Sequence, residues 1–466
     1  MTTTNAKITA IAVIALLFAV TVPLGIWAVG ELNTSAPAPT SLPSSRDPAV
    51  AKADQSAQSD ALGRRAAELF KNFVAEQRAL AVAGAAANGK QMPPEYVAFF
   101  AAAETGNSPA MRAMLLDGFG GRSPSTTSLM AAKQTYSAFD VFPAWDEKYA
   151  LAYSHDILAS IPQGSIYYTG VSAGADLVPA LQKSFVNGDP CFTLDPWNTV
   201  EKDYRAYLRS MWGDKVYIPT DADAEKCVHD FAPKRLRAYR QDDLQRDDYQ
   251  LVGMLFAKLI FDENSGREFY YEECGPTEWM YPYLEPHGLI LKINHQPLPT
   301  LSDDIVKKDH DYWVQYLRPM IGDWLTYDTP VKDLVGFTDR VRLEHDLGSF
   351  TGDPSFVENT SARRGLDRTE FPPGCDCKEQ LYSKLRTAIG GVYAWRADHA
   401  TDPAEKQRMA READFAFRQA IALWPSSDES CNPNGRYIVL LDKEKRQSDA
   451  RLLMEMWRQL HARGYR

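Results

Sequence analysis

The spacing of apolar residues along the chain separates helical regions from a mixed one. Between residues 59 and 139 apolar side chains recur every three or four positions, as they do in helices that pack one face on a core. Between 140 and 300 short β-branched and aromatic runs alternate with helical stretches, which is typical of a parallel sheet. From 301 to 466 the helical spacing returns. The pattern predicts an α/β region followed by an α-helical domain.

Three runs in the middle region predict parallel strands, namely SIYYT at 165–169, CFTLD at 191–195 and KVYIP at 215–219. Helical stretches of crossover length separate them, and strand–helix–strand units form right-handed parallel crossovers. Runs at 268–273 and 288–294 predict two further strands. We therefore expect a small α/β sandwich with a parallel sheet.

Two polar stretches predict loops. Residues 123–135 are rich in Ser and Thr, and residues 346–373 are rich in Gly, Asp and Arg. Polar runs of this composition are typical of loops.

The N-terminal segment decides the expected compartment. Residues 8–30 are apolar and uncharged, and at about 1.5 Å per residue they would cross a bilayer core. We expect 1–31 to be an uncleaved membrane anchor; a cleaved signal peptide, whose apolar part is shorter, is the alternative. The Pro- and Ser-rich stretch 32–58 is expected to be a flexible linker. Lys7 before the span and Glu31 after it place the bulk of the protein outside the cytoplasm, in the periplasm or at the cell surface.

Composition and charge exclude some classes of function. The formal net charge of −10 argues against a nucleic-acid-binding surface, which needs basic side chains. Six Cys in 466 residues are too few for a disulfide-built scaffold. Cys375 and Cys377 lack the second pair of a zinc site, and both a disulfide to a residue such as Cys431 and a free thiol remain open. We expect no metal, no cofactor and no catalytic residue.

The C-terminal helices carry the spacing of a tetratricopeptide repeat. The matching positions are Gly390, Tyr393, Ala413, Phe417, Ala420 and Pro425. Gly390 is expected to lie opposite Ala413, where the helices at 378–397 and 403–424 pack closest. Phe417 is expected to fill the space towards a second, degenerate pair at 434–442 and 448–463. Because stacked repeats form extended binding surfaces, we expect a protein partner at these helices.

The ends of the predicted strands are the candidate ligand site. Its residues are Thr169, Gly170, Ser172, Gly174, Asp195, Trp197 and Glu273. Ligands of open α/β sheets bind at the carboxyl ends of the strands, and a Gly-containing turn before a helix presents backbone N–H groups to an anion. Asp195 and Trp197 suit a sugar, and Asp195 with Glu273 could supply the two carboxylates of a glycosidase. The alternative is structural: a tight turn that needs Gly, and Asp195 or Asn198 capping the next helix.

The order of these elements resembles a known family. The runs SIYYTG, CFTLDPWNTVEKDYRAYLRSMWG and WMYPYLEPHGLILKIN, with the helices TAIGGVYAWRA and EADFAFRQAIAL, resemble the extracytoplasmic C-terminal region of the multispanning, predicted protein O-mannosyltransferase-like family. The resemblance covers about residues 140–466. The acidic residues that the family often carries in the first strand's turn are absent, so no catalytic role is implied. The resemblance implies a free-standing, membrane-tethered version of the soluble module.

Two functions follow from the sequence. The first is a membrane-anchored, extracytoplasmic and non-catalytic interaction or accessory module that holds a protein on its C-terminal helices. The second is a carbohydrate-related enzyme or sugar-binding protein that uses the strand ends. A polar pocket shared by Asp195, Glu273 and the 170–174 turn would favour the second function, and residues that are scattered or buried as caps would favour the first.

Overall fold

The computed structural model describes residues 48–121, 124–141, 147–170, 174–232, 246–272, 278–357, 378–425 and 433–463. The chain divides into two compact units, Met1–Ser56 and Ala57–Arg466. The second unit contains the sheet and the hydrophobic core.

The first helices are α1 (Pro48–Ala87), α2 (Pro94–Glu104), α3 (Ser108–Leu116), α4 (Thr126–Val141) and α5 (Glu147–Ser160). Pro94 opens α2, because proline fits the first helical turn, where no N–H partner is needed. The loop predicted at 123–135 is wrong, since most of it belongs to α4. Ser125 accepts a hydrogen bond from the backbone N–H of Ser128, so this polar residue caps a helix that buries Ala131 and Ala138.

The described strands form one mixed sheet. They are β1 (Ser165–Tyr168), β2 (Cys191–Leu194), β3 (Phe269–Tyr271), β4 (Leu284–His287) and β5 (Ile290–Ile293), in the order β2-β1-β3-β5-β4. β1 lies in parallel between β2 and β3, with Ile166 opposite Phe192 and Phe269. β5 is antiparallel to both β3 and β4. The parallel pairing of the first two predicted strands is confirmed.

The predicted fold class is wrong in two respects: the sheet is mixed rather than parallel, and the described chain is mostly helical around it. Residues 215–219 form no strand. The backbone N–H of Tyr217 donates to Asn264 Oδ1 at 2.9 Å, and its carbonyl accepts from Asn264 Nδ2 at 3.1 Å. One side chain thus takes the bonds that a sheet ladder would supply. β4, which the sequence did not predict, pairs with β5 through a tight turn at Gly288, where φ is 61°.

The remaining helices connect and cover the sheet. They are α6 (Gly174–Leu181), α7 (Lys202–Trp212), α8 (Asp221–Phe231), α9 (Arg246–Glu263), α10 (Asp303–Ile321), α11 (Val331–Thr338), α12 (Pro354–Val357), α13 (Lys378–His399), α14 (Pro403–Leu423), α15 (Pro433–Lys443) and α16 (Gln447–Ala462). Every residue of β1, β2 and β3 is buried, so both faces of these strands are covered. One continuous core reaches from Ala66 in α1 to Leu460 in α16. The predicted division of 59–139, 140–300 and 301–466 into separate segments stays a prediction.

The expected membrane anchor is corrected. The anchor segment 1–31, with its apolar run 8–30, lies outside the described residues. Within the described part of the chain, no helix combines the length and apolar character needed to cross a bilayer. The structure therefore does not support the predicted transmembrane helix, the predicted membrane contact or the predicted extracytoplasmic location. α1 begins at Pro48, so residues 48–58 of the expected flexible linker are helical.

Candidate functional site

The carboxyl ends of the parallel strands bring most of the predicted ligand residues to one edge of the sheet. Thr169 and Gly170 follow β1, Asp195 follows β2, and Gly174 opens α6. Trp197 comes two residues after Asp195 and is half-buried. The two other predicted residues, Ser172 and Glu273, lie outside the described residues.

Glu272, rather than the predicted Glu273, is the carboxylate that the structure shows at this edge. Its backbone N–H donates to the carbonyl of Tyr168 at 2.9 Å, and its Oε2 accepts from the Tyr167 hydroxyl at 2.7 Å. Burial, followed by the charge of Glu272, raises the pKa of Tyr167 well above its ordinary value, so the hydroxyl remains the donor. The sequence held a signal for this choice. In a parallel register Glu272 lies level with Thr169, on the sheet face of Tyr167.

Gly174 lets α6 begin directly against this carboxylate. A Cβ atom at position 174 would lie 2.6 Å from both carboxylate oxygens of Glu272. Gly170 is also close, since its Cβ would lie 2.9 Å from the carbonyl oxygen of Glu272. Both glycines are thus required by close packing around Glu272.

Asp195 acts as a cap for the turn that follows β2. Its Oδ1 accepts from the backbone N–H groups of Trp197 at 2.8 Å and Asn198 at 3.3 Å, and its Oδ2 accepts from Asn198 Nδ2 at 2.7 Å. Burial raises the pKa of Asp195 to about 7, although the two backbone hydrogen bonds oppose the shift. The contacts of Asp195 therefore fit the structural alternative, in which it acts as a cap rather than as a ligand-binding residue.

The cavity beside Asp195 is too small for a sugar. It measures about 20 Å³ and is lined in part by Thr169, Asp176, Thr193 and Tyr204. Such a space holds about one water molecule, whereas ligand pockets usually measure about 300–1,000 Å³. In the described residues the strand ends form a closed polar cluster.

The tetratricopeptide-like positions pack with a shift of one turn from the prediction. A Cβ at Gly390 in α13 would lie 2.9 Å from Phe417 Cε1 and 3.3 Å from Ala416 Cβ in α14. The expected close neighbour, Ala413, is not among its nearest atoms. The ring of Phe417 lies 6.0 Å from that of Tyr437 in α15, so it reaches the next helix as predicted. The other repeat positions that are fully buried are Tyr393, Ala413 and Ala420, and Pro425 follows α14.

A buried ion pair that the sequence did not reveal ties this repeat to α10. Arg386 Nη1 lies 2.8 Å from Asp309 Oδ2, and the two side chains are 0% and 1% exposed. Tyr393 donates its hydroxyl to the same carboxylate oxygen at 2.9 Å, and Arg386 Nε donates to Gln419. The sequence does contain one signal for this pair: Arg386 occupies a position within the apolar spacing of α13. A charge there predicts a buried partner on another helix.

A second polar cluster joins α10 to α14. The Tyr327 hydroxyl donates to Glu412 at 2.7 Å, and its ring stacks on His310 with centroids 4.6 Å apart. Burial raises the pKa of Glu412 and lowers that of His310. The adjoining cavity measures about 220 Å³. Two basic side chains line this cavity, and both are already paired: Lys307 with Asp311, and Arg408 with Asp303.

The last two helices expose apolar side chains. Val439 in α15 is 53% exposed, and Leu452, Met454 and Trp457 in α16 are 39%, 43% and 38% exposed. They are four of the nine large apolar side chains that are exposed in the described part of the chain. Met454 and Trp457 are three residues apart and so share a face of α16. The ring of His461, 4.6 Å from that of Trp457, continues this face.

Metal chemistry and sequence relatives give no further assignment. Among the described residues, no three His, Cys, Asp or Glu side chains are placed to hold a metal ion. Cys375, Cys377 and Cys431 lie outside those residues. No protein-family model, curated protein or solved structure matches this chain. The resemblance to the O-mannosyltransferase-like family therefore stays a prediction.

Proposed function

We propose that this protein is a non-catalytic interaction protein that holds a protein partner on its C-terminal helical hairpin, α15 and α16. The observation that supports the proposal is the exposure of Val439, Leu452, Met454 and Trp457 within these two helices. Single exposed apolar residues are normal on soluble proteins, but apolar side chains that share one face, as Met454 and Trp457 do, are typical of a binding surface. Trp and Met are also enriched in the cores of protein interfaces.

The geometry of the strand ends favours this function over sugar binding or hydrolysis. Asp195 accepts three hydrogen bonds from its own turn, and Glu272 is buried against Tyr167. The cavity beside Asp195 has room for about one water molecule. A carbohydrate enzyme needs two carboxylates that reach a substrate, and these two carboxylates are engaged within the fold.

The chemistry of α16 defines the kind of partner. Met454, Trp457 and His461 form an apolar and aromatic face, and Arg451 and Arg458 lie beside it at helical spacing. We expect a protein segment that inserts an apolar side chain next to Trp457 and carries acidic residues around it. Aromatic anchors of this kind account for most of the binding energy in many interfaces.

Affinity capture with surface variants tests this proposal. The immobilised full chain is compared with the double variant Met454→Ser/Trp457→Ser, and captured proteins are quantified by mass spectrometry. The expected result is a specific set of proteins whose recovery falls at least tenfold with the double variant, because truncation of a central aromatic anchor costs about 2 kcal/mol or more.

A matched control removes exposed apolar area elsewhere. Leu116 at the end of α3 and Phe231 at the end of α8 are 79% and 71% exposed, and the variant Leu116→Ser/Phe231→Ser should retain the captured proteins. Circular dichroism melting confirms that both variants fold. Equal recovery with all three chains would contradict the proposal. If light scattering shows that the wild-type chain self-associates and the Met454→Ser/Trp457→Ser variant does not, the partner is a second copy of the chain.

A further inference from the structure

A further cavity lies away from both the strand ends and the C-terminal hairpin. It measures about 320 Å³, opens to solvent, and is lined by α1, α5, the end of α6 and the segment that leads into β2. Its apolar lining consists of Ala66, Leu69, Leu151, Leu158, Ala159, Leu181 and Pro190. Its volume reaches the range of small-molecule sites, which the cavities of about 220 and 20 Å³ do not.

The polar groups that line this cavity are mostly basic. They are Arg65 from α1, His155 from α5, and Gln182 and Lys183 from the segment before β2. The Gln182 amide is engaged, since its Nε2 donates to Thr193. Lys183 pairs with Asp189 at 2.9 Å. Among the residues that the structure describes, no carboxylate pairs with the exposed Arg65 guanidinium.

His155 is a second basic residue in the lining of this cavity, together with Arg65. Its Nδ1 lies 3.1 Å from Asp156 Oδ1, and this hydrogen bond raises the pKa of His155 above its ordinary value. The charge of Arg65, which lines the same cavity, opposes that shift. Asp156 is shared, because its other oxygen accepts from the Tyr316 hydroxyl at 2.8 Å. An anion placed between Arg65 and His155 would favour the charged form of His155.

We propose that this cavity binds a monomeric amphiphile with one carboxylate and a short alkyl chain. The chain occupies the space between Leu69, Leu158 and Leu181, and the carboxylate pairs with Arg65 and protonated His155. Arg suits this role because its planar guanidinium binds a carboxylate through two hydrogen bonds. The proposal concerns a small-molecule site and is independent of the protein partner of α16.

The cavity volume sets the length of the alkyl chain. At about 30 Å³ for a group of the size of a water molecule, 320 Å³ holds about ten such groups. A chain of about eight carbons with its carboxylate fills this space, so octanoate is the probe.

Isothermal titration calorimetry of the full chain with sodium octanoate tests the proposal. Octanoate should bind with saturation, and octan-1-ol and octylammonium should bind at least tenfold more weakly, because they lack the negative charge. In ¹H–¹⁵N spectra of the His155 ring, bound octanoate should move the pKa of His155 upward. Equal binding of octanol and octanoate, or no octanoate binding at millimolar concentration, would overturn the proposal without any variant.

Two substitutions locate the site. Arg65→Gln removes the guanidinium and should weaken octanoate binding at least fivefold. Arg64→Gln, the neighbouring exposed position that does not line the cavity, should leave the affinity within twofold. Ala159→Leu, at an exposed helical position, fills the cavity and should abolish binding. If Arg65→Gln and Arg64→Gln bind octanoate equally, the assignment of Arg65 is wrong; if Ala159→Leu binds as the wild type does, the cavity is not the site.

Discussion

Gly390 and Phe417 are in contact across the two helices of the C-terminal repeat, and the ring of Phe417 takes the space that a side chain at 390 would need. A Cβ atom there would lie 2.9 Å from Phe417 Cε1 and 3.0 Å from Cδ1. We predict that Gly390→Ala lowers the free energy of unfolding by about 1–3 kcal/mol, because overpacking outweighs the better helix propensity of Ala. Urea unfolding at constant pH measures the change.

Gly336 in α11 is the matched control, since a Cβ there would meet nothing within 4 Å. Gly336→Ala should stabilise the protein by up to about 1 kcal/mol. The double variant Gly390→Ala/Phe417→Ala tests the contact itself. Phe417→Ala alone should cost about 3–5 kcal/mol, and in that background Gly390→Ala should cost almost nothing. Strict additivity of the two changes would show that the residues do not interact.

The Arg386–Asp309 ion pair supplies a second prediction. Both side chains are buried and 2.8 Å apart, so removal of one leaves an uncompensated charge in the core. Arg386→Met should lower the free energy of unfolding by about 3–5 kcal/mol. The exposed pair Lys443–Asp398 is the control, and Lys443→Met should change stability by less than about 1 kcal/mol. Chemical denaturation gives both values.

A second substitution separates lost charge pairing from lost packing. The double variant Asp309→Asn/Arg386→Met carries no charge at either position. The amide oxygen of Asn can still accept from the Tyr393 hydroxyl. The double variant should therefore be more stable than Arg386→Met alone. If it is less stable, the unpaired Asp309 carboxylate is not the cause of the loss.

Local signals in the sequence mark helix starts, and they predicted the first strand crossover. Pro94 opens α2, and Ser302 caps α10 by accepting from the backbone N–H of Ile305. These devices act over three or four residues, so the pattern alone contains them. The pairing of β1 with β2 likewise follows from one strand–helix–strand unit.

Contacts between residues that are far apart in the chain could not be predicted from the sequence. Residues 215–219 have the composition of a strand, but Asn264 takes the backbone hydrogen bonds of Tyr217 from 47 positions away. The shift from Ala413 to Ala416 opposite Gly390 has a similar origin, because spacing fixes a face but not the axial offset of two helices. At the candidate site, Asp195 as a cap was one of the two predicted alternatives, whereas the buried contact between Tyr167 and Glu272 was not predicted.

Tyr327 and Glu412 give a pH-dependent prediction. Burial raises the pKa of Glu412, and the hydrogen bond from the Tyr327 hydroxyl opposes the shift. A carboxyl whose folded pKa is raised loses stability as pH rises through that value. Tyr327→Phe removes the opposing bond, so it should cost about 1.5–3 kcal/mol at pH 7 and clearly less near pH 4, where Glu412 is protonated. Urea titrations at both values measure this difference, and an equal cost would contradict it.

Asp195 makes the sharpest test of the strand-end cluster. Its pKa is raised from an ordinary value of 3.8 to about 7, chiefly by burial. Between these values the folded chain holds a proton that the unfolded chain loses. The stability that Asp195 contributes is therefore fully present below about pH 3.8 and is lost as pH rises to about 7. Asp195→Asn keeps the acceptor for the backbone N–H groups of Trp197 and Asn198 but carries no proton to lose.

The variant should consequently gain stability relative to the wild type as pH rises from 5 to 8. The gain should approach about 1.4 kcal/mol for each pH unit below 7 and should level off above it. Unfolding by urea at pH 5, 6, 7 and 8 measures the difference. The exposed carboxylate of Asp214 is the control, and Asp214→Asn should show no such trend. A constant difference between Asp195→Asn and the wild type across this range would mean that Asp195 is ionised throughout, and that solvent or a ligand reaches the strand ends.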